Sequence, residues 1–176
     1  PTGGGAGWLK EHIRDSPDLP KPGVGFKAIT PLWADVRAFR STIDALAAPF
    51  AGAGVDKVLA VEARGFIVGA PVAYRFGAGF VPCRKAGKLP WKVLSHSYQL
   101  EYGTDQLDVH QDAVARGDRV LIVDDVLATG GTALAAVELI RKLGGDVVGV
   151  QVLIELSALG GRGRLPGIEV VSELVY

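Results

Sequence analysis

Apolar residues along the chain follow two alternating patterns, continuous runs and runs with helical spacing. Continuous runs of strand length occupy residues 55–61, 79–83, 120–124 and 147–154, and a shorter one occupies residues 168–171. Apolar residues recur on one helical face in residues 35–51, 66–76 and 134–143. Strands that alternate with helices favour βαβ units, in which right-handed crossovers join parallel strands. The pattern therefore predicts an α/β fold with a parallel core sheet flanked by helices.

Two segments do not fit this alternation. Residues 16–25 hold Pro17, Pro20 and Pro22, which fix φ and remove backbone donors, so we expect an arm laid over the core. Residues 84–92 read RKAGKLPWK, and their cations, Gly and Pro predict a loop. Two strands, residues 98–101 and 106–110, flank a Tyr-Gly-Thr turn and predict a hairpin. We expect residues 1–34 to form an N-terminal hood and residues 84–110 a flexible loop and hairpin.

Length and composition narrow the class of protein. The chain has 176 residues and a mass of 18.4 kDa, which predicts a single domain, residues 1–176. The formal net charge is zero, which argues against a broad basic surface for nucleic acid. A single cysteine permits no internal disulfide and favours a reducing compartment, so we expect a cytoplasmic protein. We expect no membrane partner, because no apolar run reaches the length of a membrane span.

The most informative stretch is VLIVDDVLATGGT, residues 120–132. It predicts a buried strand that ends in Asp124 and Asp125, then a turn of small residues, then a helix. Ligands of open α/β sheets bind beyond the carboxyl ends of the strands, and a helix N-terminus attracts anions. The two carboxylates cannot bind phosphate, so they need hydroxyls, a metal or base-edge donors. A sugar phosphate satisfies both halves of this site.

The same stretch has other interpretations. A strand ending in two acids is also typical of the Walker B magnesium site, but the chain has no G-x-x-x-x-G-K-[ST] run. No G-x-G-x-x-G follows a strand, which argues against a dinucleotide-binding fold. Asp125 could instead cap the turn, and the turn could be an ordinary helix N-cap.

Residues 120–132 resemble the 5-phosphoribosyl-1-pyrophosphate motif of the type I phosphoribosyltransferases. Further segments resemble the adenine phosphoribosyltransferases: PDLPKPGVGF at 17–26, EARGF at 62–66, RKAGKLP at 84–90, LEYGTDQL at 100–107 and IELSALGGR at 154–162. The resemblance covers nearly the whole chain. It implies the type I phosphoribosyltransferase fold, with a parallel core sheet, an inserted flexible hairpin loop and an N-terminal hood.

The resemblance also implies how 5-phosphoribosyl-1-pyrophosphate is bound. Asp124 and Asp125 would hold the ribose 2- and 3-hydroxyls. The 5-phosphate would be bound by the turn residues Ala128, Thr129, Gly130, Gly131 and Thr132. The pyrophosphate would be bound by Arg64, by Arg84, Lys85 and Lys88 of the loop, and by Tyr102. The peptide bond between Glu62 and Ala63 should be cis. Arg64 follows the carboxyl end of a strand, where a guanidinium can bind phosphate oxygens, and a surface arginine is the alternative.

The same resemblance places Glu101 beside the purine and the reacting centre, and makes Glu101 and Arg64 the catalytic candidates. An exposed strand carboxylate is the alternative for Glu101. Adenine would stack on Phe26, with Val126 on its other face and main-chain groups of Lys27 at its Watson–Crick edge. Lys27 and its neighbours Gly25 and Ala28 differ from the residues that the family usually has there.

The implied reaction is transfer of the 5-phosphoribosyl group to adenine, which gives AMP and pyrophosphate. Mg²⁺ is the implied cofactor, held through pyrophosphate and the ribose hydroxyls rather than by a direct protein ligand. The family resemblance also implies a homodimer. Two alternatives stay open: transfer to another purine such as xanthine or hypoxanthine, and a non-enzymatic regulator that senses 5-phosphoribosyl-1-pyrophosphate.

Overall fold

A computed structural model describes residues 5–16, 25–100 and 103–176. The strands in chain order are β1 (Arg14–Ser16), β2 (Phe26–Ala28), β3 (Lys57–Val61), β4 (Gly79–Lys85), β5 (Val93–Gln99), β6 (Thr104–His110), β7 (Arg119–Leu127), β8 (Asp146–Glu155) and β9 (Val170–Val175). The α-helices are α1 (Thr30–Ala34), α2 (Val36–Ala47), α3 (Arg64–Phe76) and α4 (Gly131–Leu143). Short 3-10 helices span Gly7–His12, Ala48–Phe50, Ser157–Leu159 and Gly161–Arg164.

The described strands form a seven-stranded sheet in the order β5-β6-β4-β3-β7-β8-β9 and a small antiparallel pair, β1-β2. Neighbours among β4, β3, β7, β8 and β9 run parallel. Helices α3 and α4 connect parallel neighbours, β3 to β4 and β7 to β8. The predicted parallel core is therefore confirmed, and its carboxyl edge carries the ends of β3, β4, β7 and β8.

Apolar side chains cover both faces of the core sheet. On one face, Leu121, Val123 and Leu153 of the strands pack in a cluster with residues of α1, α2 and α3. On the other, Ile122 and Val152 pack with α4 and with the hairpin strands β5 and β6. Because both faces are buried, the central strands carry continuous apolar runs, which is typical of parallel sheets.

The ends of the helices follow from local chemistry. The Asp35 side chain accepts a hydrogen bond of 2.7 Å from Ala38 N and so caps α2. Gly77 and Gly144 stop α3 and α4 with φ values of 65° and 89°, a region that side chains disfavour. These glycines turn the chain back towards the next strand.

Three elements differ from the sequence prediction. The predicted loop at residues 84–92 is wrong at its start, because β4 continues through Lys85 and pairs there with β6. The hairpin strands begin earlier than predicted, at Val93 and Thr104. Of the apolar residues at the end of the expected arm, Ile29 is buried as an arm laid over the core requires, whereas Phe26 is exposed. Most of the proline-rich arm, residues 17–24, lies outside the described residues.

No helix within residues 5–16, 25–100 and 103–176 is both long and apolar enough to cross a membrane.

Helix α3 approaches β3 so closely that Gly69 has no room for a side chain. A Cβ added at Gly69 would lie 2.5 Å from Ala60 Cβ. We expect Gly69→Ala to lower the free energy of unfolding by about 1–2 kcal/mol, because so short a contact places the overpacking cost at roughly 2–3 kcal/mol and the higher helix propensity of alanine recovers about 1 kcal/mol. Urea denaturation measures the change.

Gly52→Ala is the matched control, since a Cβ there meets no atom within 4 Å. Its free energy of unfolding should change by about 0.5 kcal/mol or less. A Gly69→Ala variant as stable as the parent would contradict the close packing of α3 on β3.

Candidate functional site

A cavity of about 410 Å³ opens at the carboxyl edge of the sheet, between β3 and β7. Many predicted site residues line it: Arg64, Lys85, Asp124, Asp125, Val126, Ala128, Thr129, Gly130, Gly131 and Thr132. The cavity lies where an open α/β sheet binds its ligands. Residues 124–132 therefore line a cavity at the carboxyl edge of the sheet, where their pattern predicted a ligand site.

The turn after β7 leads directly into the N-terminus of α4. Gly130 adopts a φ of 83° and precedes the first helical residue, Gly131. The N–H groups of a first helical turn have no partner within the helix, so they can bind an anion. No side chain among the described residues caps this helix. The turn therefore does not form a side-chain N-cap in the described structure.

The turn is held against the segment that follows β8. A Cβ at Gly130 would lie 2.5 Å from Gly161 O, and one at Gly161 would lie 2.3 Å from Ala128 O. Arg162 fixes this contact, because its guanidinium donates to both carboxylate oxygens of buried Glu155, at 3.0 and 2.5 Å. The Arg162 guanidinium lowers the pKa of Glu155, against the opposing effect of burial. The sequence did not predict this ion pair, because no regular helix or strand spacing brings residues seven positions apart into contact across a turn.

The two carboxylates at the end of β7 differ in their surroundings. Asp124 Oδ1 accepts a hydrogen bond of 2.9 Å from Asp125 N. The pKa of Asp124 is raised, mainly because the carboxyl group is buried and also because the Asp125 carboxylate is close to it. Asp125 is 4% exposed, and its Oδ2 lies 2.7 Å from Arg64 Nε. The N–H of Arg64 is not aligned with that oxygen, so Oδ2 has no hydrogen-bond partner among the described residues. A ligand hydroxyl could supply one.

Arg64 begins α3 directly after the loop that follows β3. The peptide bond between Glu62 and Ala63 is cis, as predicted. The Arg64 side chain is about half exposed, at 51%, and its guanidinium carbon lies 5.9 Å from the Phe26 ring centre. Arg64 is therefore not a free surface arginine, because it pairs with Asp125 and lies close to the Phe26 ring.

Glu62 contacts the cationic residues at the end of β4 and just beyond it, a role that its place in the sequence did not indicate. Its carboxylate accepts hydrogen bonds from Lys85 N at 2.6 Å, from Lys88 Nζ at 3.1 Å and from Arg84 at 3.3 Å. Burial raises the pKa of Glu62, but these three donors outweigh it and the net shift is downward. Glu62 thus keeps three predicted phosphate ligands next to the cavity.

Lys85 is also held from the hairpin. Its ammonium pairs with Asp105 of β6 and donates to the Tyr98 hydroxyl of β5 at 3.0 Å. The Lys85 hydrogen bond is the main cause that lowers the pKa of Asp105. Burial lowers the pKa of Lys85, but Asp105 and Tyr98 reverse this and raise it. Asp105 and Tyr98 were missed because only the pairing of β6 with β4 brings them to Lys85.

The remaining predicted residues lie further out or beyond the described part of the chain. Arg84 and Lys88 reach the cavity only through Glu62. Phe26 and Lys27 do not line it, and the Lys27 ammonium turns to Asp15 and lies 4.2 Å from the Tyr176 ring centre. Glu101 and Tyr102 lie outside the described residues.

The described part of the chain offers no ready metal site of its own. No group of three or more His, Cys, Asp or Glu side chains there could hold a metal ion. The two carboxylates of the cavity, Asp124 and Asp125, can contribute to a metal site only together with ligand oxygens.

The family profile described as the phosphoribosyl transferase domain matches residues 29–167. An adenine phosphoribosyltransferase from Acidothermus cellulolyticus is 61% identical over 163 residues, which cover 93% of this chain and 92% of the relative. The chain belongs to the adenine phosphoribosyltransferase family.

Solved structures of adenine phosphoribosyltransferases have the same fold. The enzyme from Thermoanaerobacter pseudethanolicus is 50% identical, with a TM-score of 0.94 over 97% of this chain and 99% of that one. The Saccharomyces cerevisiae enzyme, complexed with adenine and a dideoxy-imino-altritol bisphosphate, is 36% identical, with a TM-score of 0.88 over 94% of this chain and 96% of that one.

Membership of the adenine phosphoribosyltransferase family confirms the type I fold expected from residues 120–132. The roles assigned to individual side chains stay predictions. The geometry adds Glu62, Tyr98, Asp105 and the Glu155–Arg162 pair to the residues that organise this adenine phosphoribosyltransferase site.

The Glu155–Arg162 pair predicts a pH-dependent loss of stability. Because the folded-state pKa of Glu155 is lowered, its contribution is present above the unfolded pKa and is lost as pH falls through the folded pKa. We expect Glu155→Gln to lower the free energy of unfolding by about 1–2 kcal/mol at pH 7, a modest value because the Arg162 side chain is 45% exposed. The difference from the parent should shrink below about pH 4.

Urea denaturation at pH 7 and in mild acid measures both effects. Glu138→Gln removes an exposed carboxylate that pairs with Arg141 on α4, so its cost should be about 0.5 kcal/mol or less. A Glu155→Gln deficit that stays constant with pH would refute the role of the ionised pair.

Proposed function

We propose that this protein transfers the 5-phosphoribosyl group from 5-phosphoribosyl-1-pyrophosphate to adenine, releasing AMP and pyrophosphate in purine salvage. One observation carries the proposal: a single cavity is lined by a helix N-terminus, by two carboxylates and by the cations Arg64 and Lys85. A ribose with a phosphate at one end and a pyrophosphate at the other supplies a partner for each of these three groups. High identity to adenine phosphoribosyltransferases over nearly the whole chain supports the same reaction.

The 5-phosphate would lie on the turn, residues 128–132. Backbone N–H groups, that of Thr132 among them, and the Thr129 hydroxyl would donate to it, whereas the Thr132 hydroxyl donates to Tyr98. The helix dipole also favours the charge of the phosphate. Asp124 and Asp125 would accept hydrogen bonds from the two ribose hydroxyls. The unpartnered Asp125 Oδ2, within the described residues, supports this assignment, because a ligand hydroxyl would satisfy it.

The pyrophosphate would lie between Arg64 and the cations held by Glu62 and Asp105. Arg64 now contacts Asp125. A guanidinium has several N–H donors, so Arg64 can bind a phosphate oxygen without leaving Asp125 unneutralised. Lys85, Lys88 and Arg84 would add charge at the same end, and Tyr102 is assigned there by family resemblance.

The reaction forms a bond between adenine N9 and C1 of the ribose while the bond from C1 to the pyrophosphate oxygen breaks. The bonding electron pair leaves with pyrophosphate, and the proton on adenine N9 is released. Arg64 would stabilise charge on the leaving group. Glu101, assigned beside the purine by resemblance, would stabilise the positive ribose or receive the proton.

Adenine would lie between Phe26 and Val126. The Phe26 ring is 40% exposed and lies beside Arg64, so an aromatic face is available next to the cavity. The Lys27 side chain turns away to Asp15, which leaves its main chain for the base edge. The yeast relative complexed with adenine supports this choice of base, and hypoxanthine and xanthine are the alternatives.

Mg²⁺ completes the proposal as the cofactor. Family resemblance implies that the ion would be held mainly through pyrophosphate and the ribose hydroxyls. Asp124 and Asp125 would hold the ribose hydroxyls that face the ion. When bound, Mg²⁺ neutralises charge on the leaving pyrophosphate. We further propose a homodimer, on grounds of family resemblance, which light scattering of the purified protein tests. A cytoplasmic location is proposed from the single cysteine of the chain.

Steady-state assays with adenine, hypoxanthine and xanthine test the function directly. We expect AMP and pyrophosphate in equal amounts from adenine, with turnover of the other bases lower by a factor of at least about 100. Chelation of Mg²⁺ should stop the reaction, and excess Mg²⁺ should restore it. Absence of adenine turnover would overturn the proposed substrate, and tight binding of 5-phosphoribosyl-1-pyrophosphate without turnover of any base would favour a sensor.

The role of Arg64 gives a second prediction. We expect Arg64→Gln to lower kcat/KM for 5-phosphoribosyl-1-pyrophosphate by about 100-fold, because hydrogen bonds to charged groups contribute roughly 1.5–3 kcal/mol each. The matched control is Arg75→Gln on the same helix, where the side chain is exposed and pairs only with exposed Asp44 among the described residues. Arg75→Gln should keep parental kinetics. Equal kinetics for both variants would remove Arg64 from the mechanism.

A further inference from the structure

The Tyr98 side chain lies between the two proposed phosphate-binding regions. Its ring packs on the start of α4, where a Cβ on Gly131 would lie 3.3 Å from the ring carbon Cδ2. Its hydroxyl reaches the Lys85 ammonium at 3.0 Å, and the Lys85 ammonium lies 5.6 Å from the centre of the same ring. Tyr98 itself is 8% exposed, whereas its partners Lys85 and Asp105 keep 38% and 28% of their side chains exposed.

The Tyr98 hydroxyl has a full set of hydrogen-bond partners. It donates to Asp105 Oδ2 at 3.1 Å, and it accepts from Lys85 Nζ at 3.0 Å and from Thr132 Oγ1 at 3.4 Å. A phenol offers one donor and two acceptor positions, so every position is used. Lys85 belongs to the pyrophosphate end of the cavity and Thr132 to the 5-phosphate end. One oxygen atom therefore contacts both ends.

We infer that Tyr98 is a positioning residue, which fixes the Lys85 ammonium relative to the Thr132 hydroxyl and so matches the two anion-binding regions to one 5-phosphoribosyl-1-pyrophosphate molecule. This inference rests on the proposed function. Lys85 has three N–H donors, so it can keep its bonds to Tyr98 and Asp105 while the third reaches a phosphate. The hydroxyl acts on the substrate only through its neighbours.

Positioning of this kind has a kinetic signature. Without the hydroxyl, Lys85 keeps Asp105 but loses its second fixed partner, and Thr132 loses its contact with the hairpin. The substrate must then order these groups when it binds, which weakens its affinity. Adenine does not contact them. The KM for 5-phosphoribosyl-1-pyrophosphate should therefore change while the KM for adenine does not.

Tyr98→Phe removes the hydroxyl and keeps the ring that packs on Gly131. We expect the KM for 5-phosphoribosyl-1-pyrophosphate to rise about tenfold, with kcat and the KM for adenine within about twofold of the parent. The matched control is Tyr74→Phe, which removes a hydroxyl from a side chain that is 90% exposed, and which should change none of the three. A uniform fall in kcat, or an unchanged KM, would overturn the inference.

A double-mutant cycle with Asp105→Asn tests the route through Lys85. Asp105→Asn keeps the side-chain shape but loses the charge that holds Lys85, so it should raise the same KM by itself. Because both changes act on one ammonium group, the double variant should fall clearly short of the product of the single effects. Independent, multiplicative effects would contradict the inference. If Tyr98→Phe folds poorly, the KM of Asp105→Asn for 5-phosphoribosyl-1-pyrophosphate still tests whether the fixing of Lys85 matters, and an unchanged KM would contradict the inference.

Calorimetric titration with pyrophosphate alone distinguishes a failure of the Tyr98 inference from a failure of the proposed function. Binding to the parent protein and weaker binding to Tyr98→Phe support the inference. Equal binding to both proteins overturns the role of Tyr98 and leaves the proposed function intact. If neither pyrophosphate nor 5-phosphoribosyl-1-pyrophosphate binds the parent, the proposed function fails, and the inference fails with it.

Discussion

Compensation of charge at the carboxyl edge of the sheet is the constraint on which this site depends. A carboxylate that loses water needs a cation or donors nearby, or its pKa rises until it is neutral. Four carboxylates here meet a cation from a different part of the chain: Asp125 with Arg64, Glu62 with Arg84 and Lys88, Asp105 with Lys85, and Glu155 with Arg162. These pairs join β3, β4, the hairpin, β7 and the return after β8. The charge pattern of the site is thus also what holds its parts together.

This compensation bears on how a polyanionic substrate would enter. The cations that we assign to pyrophosphate are held at the cavity by the protein's own carboxylates, so little side-chain entropy remains to be lost when a phosphate arrives. Surplus N–H donors remain: Arg84 Nε is buried without a partner among the described residues. Internal pairing therefore orders the cations without using all of their hydrogen-bonding capacity.

The sequence alone predicts those features of the fold and site that depend on residues close together in the chain. The parallel core follows from continuous apolar runs, and the turn before α4 follows from two acids and small residues within a short stretch. The Glu62 contacts are not local, since Arg84 and Lys88 lie 22 and 26 positions away. Residues 84–92 contain cations but no acid, so the sequence alone indicated a solvent-exposed loop. Only the folded chain supplies Glu62, Asp105 and Asp108 to the end of β4.

The junction between the hairpin and the core sheet is short. Strands β5 and β6 pair along seven positions, whereas β6 meets β4 at only two, Arg84 with Asp108 and Lys85 with Leu107. With so few backbone pairs, packing of side chains contributes much of the contact: Tyr98 of β5 and Leu107 and Val109 of β6 are buried in one cluster with α4. The apolar surface of α4 thereby acts as a template for the hairpin, and the shape of that surface determines where the hairpin's polar groups are aimed.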